Sequence, residues 1–411
     1  MSSATALPKV YLAAWFAYPL LVPFYLLGKT PAPGGMKLIG GVAQVGDYYL
    51  VAVMALVFAT LPFRLIRPAT PVVRAFGGFV CCTALVNLTW ATLLADMSLL
   101  KNTLFYAYDV VLFLTYLLLY SRLGEPLLKA TVCSVGVSVV LQAVLSPLAP
   151  EQAFSRRALF FNDENQLGYY CVLSGTIFVL GTRRFPVRLR YQVPVYGAIG
   201  YLTVVSQCRG ALAGLAVLVV LAVLERPFRL LLVVTGLTAA YAALILAPAV
   251  VGKSGERLVT QGEYDTLSTR GYDRLLNYPE HVFFGAGEGA YGRFHSELYG
   301  TELHSSFGTL LFCYGLLGTG FFTYGLFRIA KGDPKSALFV IPAFVHGSAH
   351  HGLRFAFFWA MLAFLCCIAL GRKPPGPESF PSGYEGEPDP APGAFAGGGD
   401  PCLQTRRETA C

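Results

Sequence analysis

The sequence predicts an all-α polytopic membrane protein, and its composition and its apolar runs both support this class. Of the 411 residues, 55% are hydrophobic and only 13% are charged, whereas a soluble protein carries about a quarter charged residues. Apolar runs long enough to cross a bilayer as helices recur from end to end. The net charge is +8, and the charged residues lie mostly between these runs. The charge therefore indicates membrane orientation and gives no basis for nucleic-acid binding.

The apolar runs predict about twelve membrane-spanning helices. The first run begins near Val10 and has no small-residue cleavage site after it, so we interpret it as a retained helix. Only Gln207 and Cys208 separate spans seven and eight, which predicts a tight hairpin. The twelve predicted spans are 10–28, 46–63, 75–95, 103–121, 129–148, 166–182, 191–206, 209–224, 229–250, 304–328, 336–348 and 353–371.

The distribution of basic residues predicts that both termini are cytoplasmic. With this orientation every inner loop carries Arg or Lys, as the positive-inside rule requires. The long segment 251–303, between spans nine and ten, is then on the outer side of the membrane, and its aromatic residues suggest short helices over the membrane surface. Ser268 or Thr269 is a candidate N-cap for a helix that runs to Asn277.

Three regions follow from this organisation. Residues 1–150 hold the first five spans, and residues 151–371 hold spans six to twelve together with the long outer loop. Residues 372–411 are rich in proline and glycine, which predicts a disordered cytoplasmic tail.

Arginines on the predicted outer side are the first candidate ligands. Arg209 stands between two apolar spans, where an unpaired charge is costly, so it either snorkels to the interface or binds an anion. Arg270 and Arg274 are four residues apart, which on a helix places both on one face, as suits a diphosphate. A solvated helix face is the alternative. Because Arg157 and Arg354 share this side, the group together favours anion binding.

Polar and glycine residues near these arginines are candidates for the wall of a cavity. Asn162 and Asn165 stand at the start of span six, and Asn162 is also a candidate helix cap. The segment GAGEGAYG, at 285–292, lacks the strand and helix of a nucleotide-binding loop, so we interpret it as a turn that allows close backbone approach.

His304 is the candidate general base. It precedes span ten, at the point where the arginine-bearing loop turns into an apolar helix. Neutral imidazole suits removal of a hydroxyl proton near pH 7. The helix start and the nearby arginines are both expected to lower the pKa of His304.

The sequence supports no metal site. His346 and His350 are four residues apart and His351 follows, but no carboxylate is adjacent in the sequence. The ten cysteines form no CxxC pair, and most lie within apolar runs. We therefore interpret them as small apolar core residues.

These motifs resemble the O-antigen ligase and polymerase superfamily of bacterial membrane glycosyltransferases, over roughly residues 150–365. The usual His-Asn pair of that family is His304-Ser305 here, and serine also caps helices. The matching motifs, in chain order, are Arg157 with Asn162 and Asn165, the S-x-x-R-G-A segment at 206–211, Ser268-Thr269-Arg270, the glycine-rich segment at 285–289, His304-Ser305, and GLLG at 315–318.

The resemblance implies a GT-C-like enzyme of the bacterial inner membrane that needs neither metal nor cofactor. It implies a donor glycan on undecaprenyl diphosphate within the membrane lipid. The acceptor is a carbohydrate hydroxyl, on lipid A–core for a ligase or on another repeat for a polymerase. His304 would be the base, and Arg209, Arg270, Arg274, Arg157 and Arg354 would bind the diphosphate. A protein O-oligosaccharyltransferase and an anionic-lipid transporter or flippase remain alternatives.

Overall fold

The structure is a computed structural model, and it describes residues 6–24, 44–62, 67–149, 158–225, 266–295 and 301–371. Within these residues the protein is all-helical. By contacts the chain divides into two units, Met1–Arg372 and Lys373–Cys411. The predicted tail, predicted span nine and the candidate ligand Arg157 lie outside the described residues.

Eight α-helices form the described chain up to residue 225. Short 3₁₀ turns precede α3 and α4 and follow α5. The helices are α1 (Ala6–Leu21), α2 (Val45–Thr60), α3 (Thr70–Leu94), α4 (Leu100–Leu123), α5 (Glu125–Leu145), α6 (Glu164–Arg184), α7 (Leu189–Ser206) and α8 (Arg209–Glu225).

The described chain from residue 266 onward begins with short helices and continues into long ones. A π turn, Thr309–Cys313, joins α11 to α12, and a 3₁₀ turn joins α13 to α14. The helices are α9 (Asp273–Asn277), α10 (Glu280–Phe284), α11 (Ser306–Gly308), α12 (Tyr314–Gly332), α13 (Pro334–Ala337), α14 (Ile341–Ala349) and α15 (Ala356–Leu370).

Four helical stretches of the described chain are long and apolar enough to cross a membrane. α2 and α15 are also apolar, but they are shorter. Every predicted span in the described residues contains a helix, although the bounds differ, since span one was predicted to reach residue 28 and α1 ends at Leu21. The four stretches are Arg67–Leu94, Met97–Leu123, Glu125–Leu148 and Ser306–Gly332.

α15 forms the centre of the bundle. Its residues from Ala356 to Ala369 are all buried, as expected for a helix that is apolar on every face. It packs against α4, α6 and α12. Trp359 has no exposure, and its indole N–H donates to the carbonyl of Leu353 at 2.7 Å. This bond ties the start of α15 to the segment that precedes it.

The predicted hairpin between α7 and α8 is confirmed. Gln207 ends α7 in the left-handed conformation with φ 50°, and α8 begins at Arg209. The hydroxyl of Ser206 accepts a hydrogen bond from the backbone N–H of Cys208 at 3.3 Å. The turn therefore places Cys208 and Arg209 at one end of the bundle, beside the end of α14, which packs along α8.

Candidate active site

The described parts of the predicted periplasmic loop cover one end of the helix bundle. Trp90, near the end of α3, donates its indole N–H to the carbonyl of Gly285 at 2.9 Å. Asn102, near the start of α4, donates to the carbonyl of Glu288 at 2.7 Å. The loop also contacts the end of α14, where Tyr272 donates to the carbonyl of Ser348 at 2.7 Å. Helix ends from three parts of the chain thus meet the loop.

The glycine-rich segment lies directly against the π turn before α12. The backbone N–H groups of Ala286 and Gly287 donate to the carbonyls of Phe312 and Cys313, at 2.8 and 2.9 Å. Gly315, with φ 65° and ψ −172°, interrupts the helical winding just after the π turn. Gly287 has φ 70°, which favours glycine. The predicted close backbone approach is confirmed.

Glu288, in the middle of this segment, is a fully buried carboxylate. The hydroxyls of Tyr106, at 3.1 Å, and Tyr314 both donate to it. Nε2 of His351 and Nε of Arg354 lie 3.1 and 3.3 Å from its Oε1. Burial raises the pKa of Glu288, but Arg354 and His351 outweigh burial and hold that pKa at about 2. Glu288 is therefore ionised at neutral pH.

Arg354 connects Glu288 to the segment that carries His304. Its guanidinium makes an ion pair with Glu302 and donates to the side-chain oxygen of Asn102 at 3.0 Å. Burial lowers the pKa of Arg354, whereas Glu288 and Glu302 raise it above its usual value, and the net shift is upward. Because two carboxylates already surround this guanidinium, we assign Arg354 a positioning role.

His304 stands just before the helix start, as predicted. Ser305 is the N-cap residue, and its hydroxyl accepts a hydrogen bond from the N–H of Gly308 at 3.0 Å. The expected serine cap is therefore confirmed. The hydroxyl of Tyr272 lies 2.5 Å from that of Ser305. This contact joins the His304 segment to the preceding part of the loop.

The pKa of His304 is lowered. Burial is the largest cause, and the charges of Arg270 and Arg274 lower it further, while Glu302 acts in the opposite direction. The lowered pKa agrees with the expectation from the sequence, although burial was not anticipated as its main cause. A neutral imidazole at pH 7 is the form that a general base requires.

Arg270 contacts both His304 and α14. Its carbonyl accepts a hydrogen bond from the backbone N–H of His304 at 3.2 Å. Its Nη1 donates to the carbonyl of Ala349 at 2.6 Å. Arg270 thus stands between the candidate base and the helix that packs against α8.

The predicted helix from Ser268 or Thr269 to Asn277 is confirmed only in its last part, since α9 spans Asp273–Asn277. Ser268–Arg270 is a 3₁₀ turn, and Gly271, with φ 81°, separates it from α9. Arg270 and Arg274 therefore do not share a helix face. Local propensity misled the prediction because glycine at φ > 0 ends a helical turn.

Arg274, in α9 of the loop, is fully buried. Its Nη1 donates to the carbonyl of Thr301 at 3.0 Å, and its Cζ lies 5.3 Å from the centre of the Tyr291 ring. Burial lowers the pKa of Arg274. These contacts hold the two described parts of the loop together, which is a positioning role.

The remaining described candidates lie at the starts of α6 and α8. Arg209 is the first residue of α8 and is half-buried. Asn162 does not cap α6, because Asp163 does so by accepting hydrogen bonds from the N–H groups of Asn165 and Gln166 at 2.7 and 3.0 Å. Both α6 and α8 pack against α14. The candidates therefore share one end of the bundle.

Sequence reasoning missed Glu288 as a functional residue. Although no carboxylate is adjacent to His351 or Arg354 in the sequence, Glu288 contacts both in the folded chain. The sequence did carry a signal for Glu288. It is the single acidic residue of the glycine-rich segment, and the small glycines leave space for close contacts with its side chain. The basic residues around position 351 also had no local counter-charge.

No protein-family model matches the chain, and no curated protein matches it either.

Proposed function

We propose that the protein is a membrane glycosyltransferase that moves a glycan from undecaprenyl diphosphate to a sugar hydroxyl. The acceptor is lipid A–core in a ligase or the next repeat of a surface polysaccharide in a polymerase. The proposed architecture has twelve spans in a GT-C-like bundle in the bacterial inner membrane. Both termini are cytoplasmic, and the site faces the periplasm. Four apolar helices of spanning length support the membrane assignment.

The observation that carries the proposal is the connection of a candidate base to two arginines. His304 bonds through its backbone to Arg270, and Arg270 bonds to the end of α14. α14 packs against α8, whose first residue is Arg209. A half-buried imidazole with a lowered pKa and two guanidinium groups thus come from three distant parts of the chain. This combination suits a proton acceptor beside an anionic leaving group.

The proposed reaction is an inverting displacement. His304 takes the proton of the acceptor hydroxyl as that oxygen forms a bond to the anomeric carbon of the donor. The bond between this carbon and the diphosphate oxygen breaks, and the diphosphate leaves with the electron pair. Arg209 and Arg270 balance the negative charge that develops on it.

The other candidates support this arrangement. Arg274 and Arg354 position the loop, since Arg274 is fully buried and Arg354 pairs with two carboxylates. Asn162 and Asn165 are proposed to line a substrate cavity near the start of α6. Arg157 is proposed as a further diphosphate ligand on the basis of the resemblance alone.

Glycan profiling of a strain that lacks the gene tests the proposal. Complementation uses the wild type, His304→Ala, and His295→Ala as a control, because His295 is an exposed histidine of the same loop. Accumulation of long, unattached lipid-linked polymer identifies a ligase, whereas accumulation of single repeats identifies a polymerase. Loss of glycan from a protein would indicate the O-oligosaccharyltransferase instead.

Full restoration by His304→Ala contradicts the general-base role. A lipid transporter would then be the next reading, because a transporter does not depend on a base. Loss of function with His304→Ala and retention with His295→Ala supports the proposal.

A further inference from the structure

Three metal-ligating side chains meet where the α7–α8 turn contacts the end of α14. They are Cys208, His346 and His350, and their ligand atoms all lie within 4.8 Å of one another. Cys208 is fully buried, His346 is 2% exposed and His350 is half-buried. The proposed reaction uses none of them.

The backbone places these side chains together. Gln207 turns the chain so that Cys208 packs with Val172 and Ala211 in a small buried cluster. The rings of His346 and His350 are 5.0 Å apart, centre to centre, with planes inclined by 32°. Both imidazoles therefore stand on the same side of the end of α14.

Gly210 makes room for both imidazoles. A Cβ at this position would lie 3.2 Å from Cδ2 of His350 and 3.5 Å from Cδ2 of His346. The lack of a side chain lets the start of α8 approach the two rings closely.

His346 is an unusual buried polar group. Among the described residues, neither of its ring nitrogens makes a hydrogen bond of normal geometry, although the backbone of Asn165 approaches the ring. Tyr169 stacks on the imidazole, with ring centres 4.4 Å apart and planes inclined by 14°. This stacking holds the ring in one plane.

The ligand set selects a class of metal. One thiolate and two imidazoles suit Zn²⁺ and Cu⁺, whereas Mg²⁺ and Ca²⁺ require oxygen ligands. Around one tetrahedral ion the ligand atoms are about 3.5 Å apart. Rotation of the three side chains would therefore have to shorten the longest separation by about 1 Å.

We propose that Cys208, His346 and His350 bind one d¹⁰ metal ion, Zn²⁺ or Cu⁺, that joins the start of α8 to the end of α14. Cys208 binds as the thiolate and releases its proton to solvent. Arg209 follows Cys208 directly, and Arg270 bonds to Ala349 beside His350, so the ion would set the distance between the two arginines. The glycosyl transfer proposed above does not pass through the ion, and the metal site stands independently of that function.

Metal analysis of the full-length protein tests the proposal. The protein is purified without a polyhistidine tag and without chelators, with Cys402→Ser and Cys411→Ser as a second background that removes the tail thiols. We expect about one Zn²⁺ or Cu⁺ per chain. Elemental analysis and anaerobic Cu⁺ titration against a competing chelator distinguish the two ions.

Single substitutions locate the ion. Cys208→Ser, His346→Gln and His350→Gln are each expected to reduce the metal content to background. The controls are Cys366→Ser, a buried thiol in α15, and His281→Gln, a half-buried imidazole in α10. Both controls should keep the ion. Reconstitution with Co²⁺ should give a thiolate-to-metal charge-transfer band that Cys208→Ser abolishes.

Two results would overturn the proposal. The first is a wild-type protein that holds no metal as purified and takes up none on reconstitution with Zn²⁺ or Cu⁺. The second is a metal content that persists in Cys208→Ser and His350→Gln. These two variants decide the question if His346→Gln does not fold, and neither result depends on glycan transfer.

Discussion

Nε2 of His351 lies 3.1 Å from Oε1 of Glu288, and the two residues are 63 positions apart in the chain. The contact joins the glycine-rich segment of the loop to the segment between α14 and α15. Arg354 shares the same carboxylate oxygen and also pairs with Glu302. Because Glu302 lies two residues before His304, this charge network is tied to the segment that carries the candidate base.

Glu288→Gln should destabilise the protein by about 3 kcal/mol, because it keeps the shape of the side chain but leaves buried positive charge without its partner. The measurement is the thermal unfolding midpoint in detergent. Glu280→Gln is the matched control, since the Glu280 side chain is 59% exposed. Equal unfolding midpoints for Glu288→Gln and the wild type would contradict the structural role of this network.

The stabilisation from Glu288 should disappear in acid. The pKa of Glu288 in the folded protein is about 2, below the usual value of about 4.3 for an unfolded chain. Its contribution is therefore fully present above about pH 4.3 and is lost as the pH falls towards 2. The difference in unfolding midpoint between wild type and Glu288→Gln should shrink over this window. A constant difference from pH 7 to pH 3 would show that the ionised carboxylate is not its source.

His304→Ala should lower the transfer rate by about 10²–10⁴-fold, the usual contribution of a general base. His295→Ala should leave the rate unchanged. The rate is measured with purified protein and a lipid-linked donor, and an unfolding midpoint recorded alongside separates loss of the base from loss of the fold. A rate within about twofold of the wild type would remove His304 from the mechanism.

The pH–rate profile should reflect the lowered pKa of His304. A general base must be unprotonated, so activity is lost as the pH falls through its pKa. The acid limb of the transfer rate should therefore lie below about 6.5, the ordinary histidine value. Glu302 opposes the shift, so Glu302→Gln should move the limb to still lower pH. A limb that does not move in this variant would mean that another group controls it.

Gly287→Ala should destabilise the protein by about 1–2 kcal/mol, because φ 70° is strained for alanine. The added Cβ would also lie 3.0 Å from Cδ1 of Trp90. Gly320→Ala is the control, since this glycine lies in α12 and a Cβ there meets nothing within 4 Å. That control should be neutral or stabilising. A neutral Gly287→Ala would mean that the loop does not require this turn.

The local features of the fold could be predicted from the sequence. The α7–α8 hairpin, the Ser305 cap and the close approach at 285–289 each depend on residues within a few positions of one another. The all-helical fold class follows from the long apolar runs. A helix that is buried on every side needs apolar residues on all faces, as α15 has. The sequence also identified His304 and Arg270 as neighbours of a common site.

Only the tertiary structure decided which side chains face one another. Glu288 meets His351 and Cys208 meets His346 across long stretches of chain, and no periodicity in the sequence records such contacts. The positive φ of Gly271 redirects the backbone, so Arg270 and Arg274 do not share a helix face. Arg274 is fully buried and contacts other residues of the loop. Sequence pattern thus determined the helices and the kinds of residue at the site. Packing determined which charges are paired, because pairing depends on distances that only the folded chain sets.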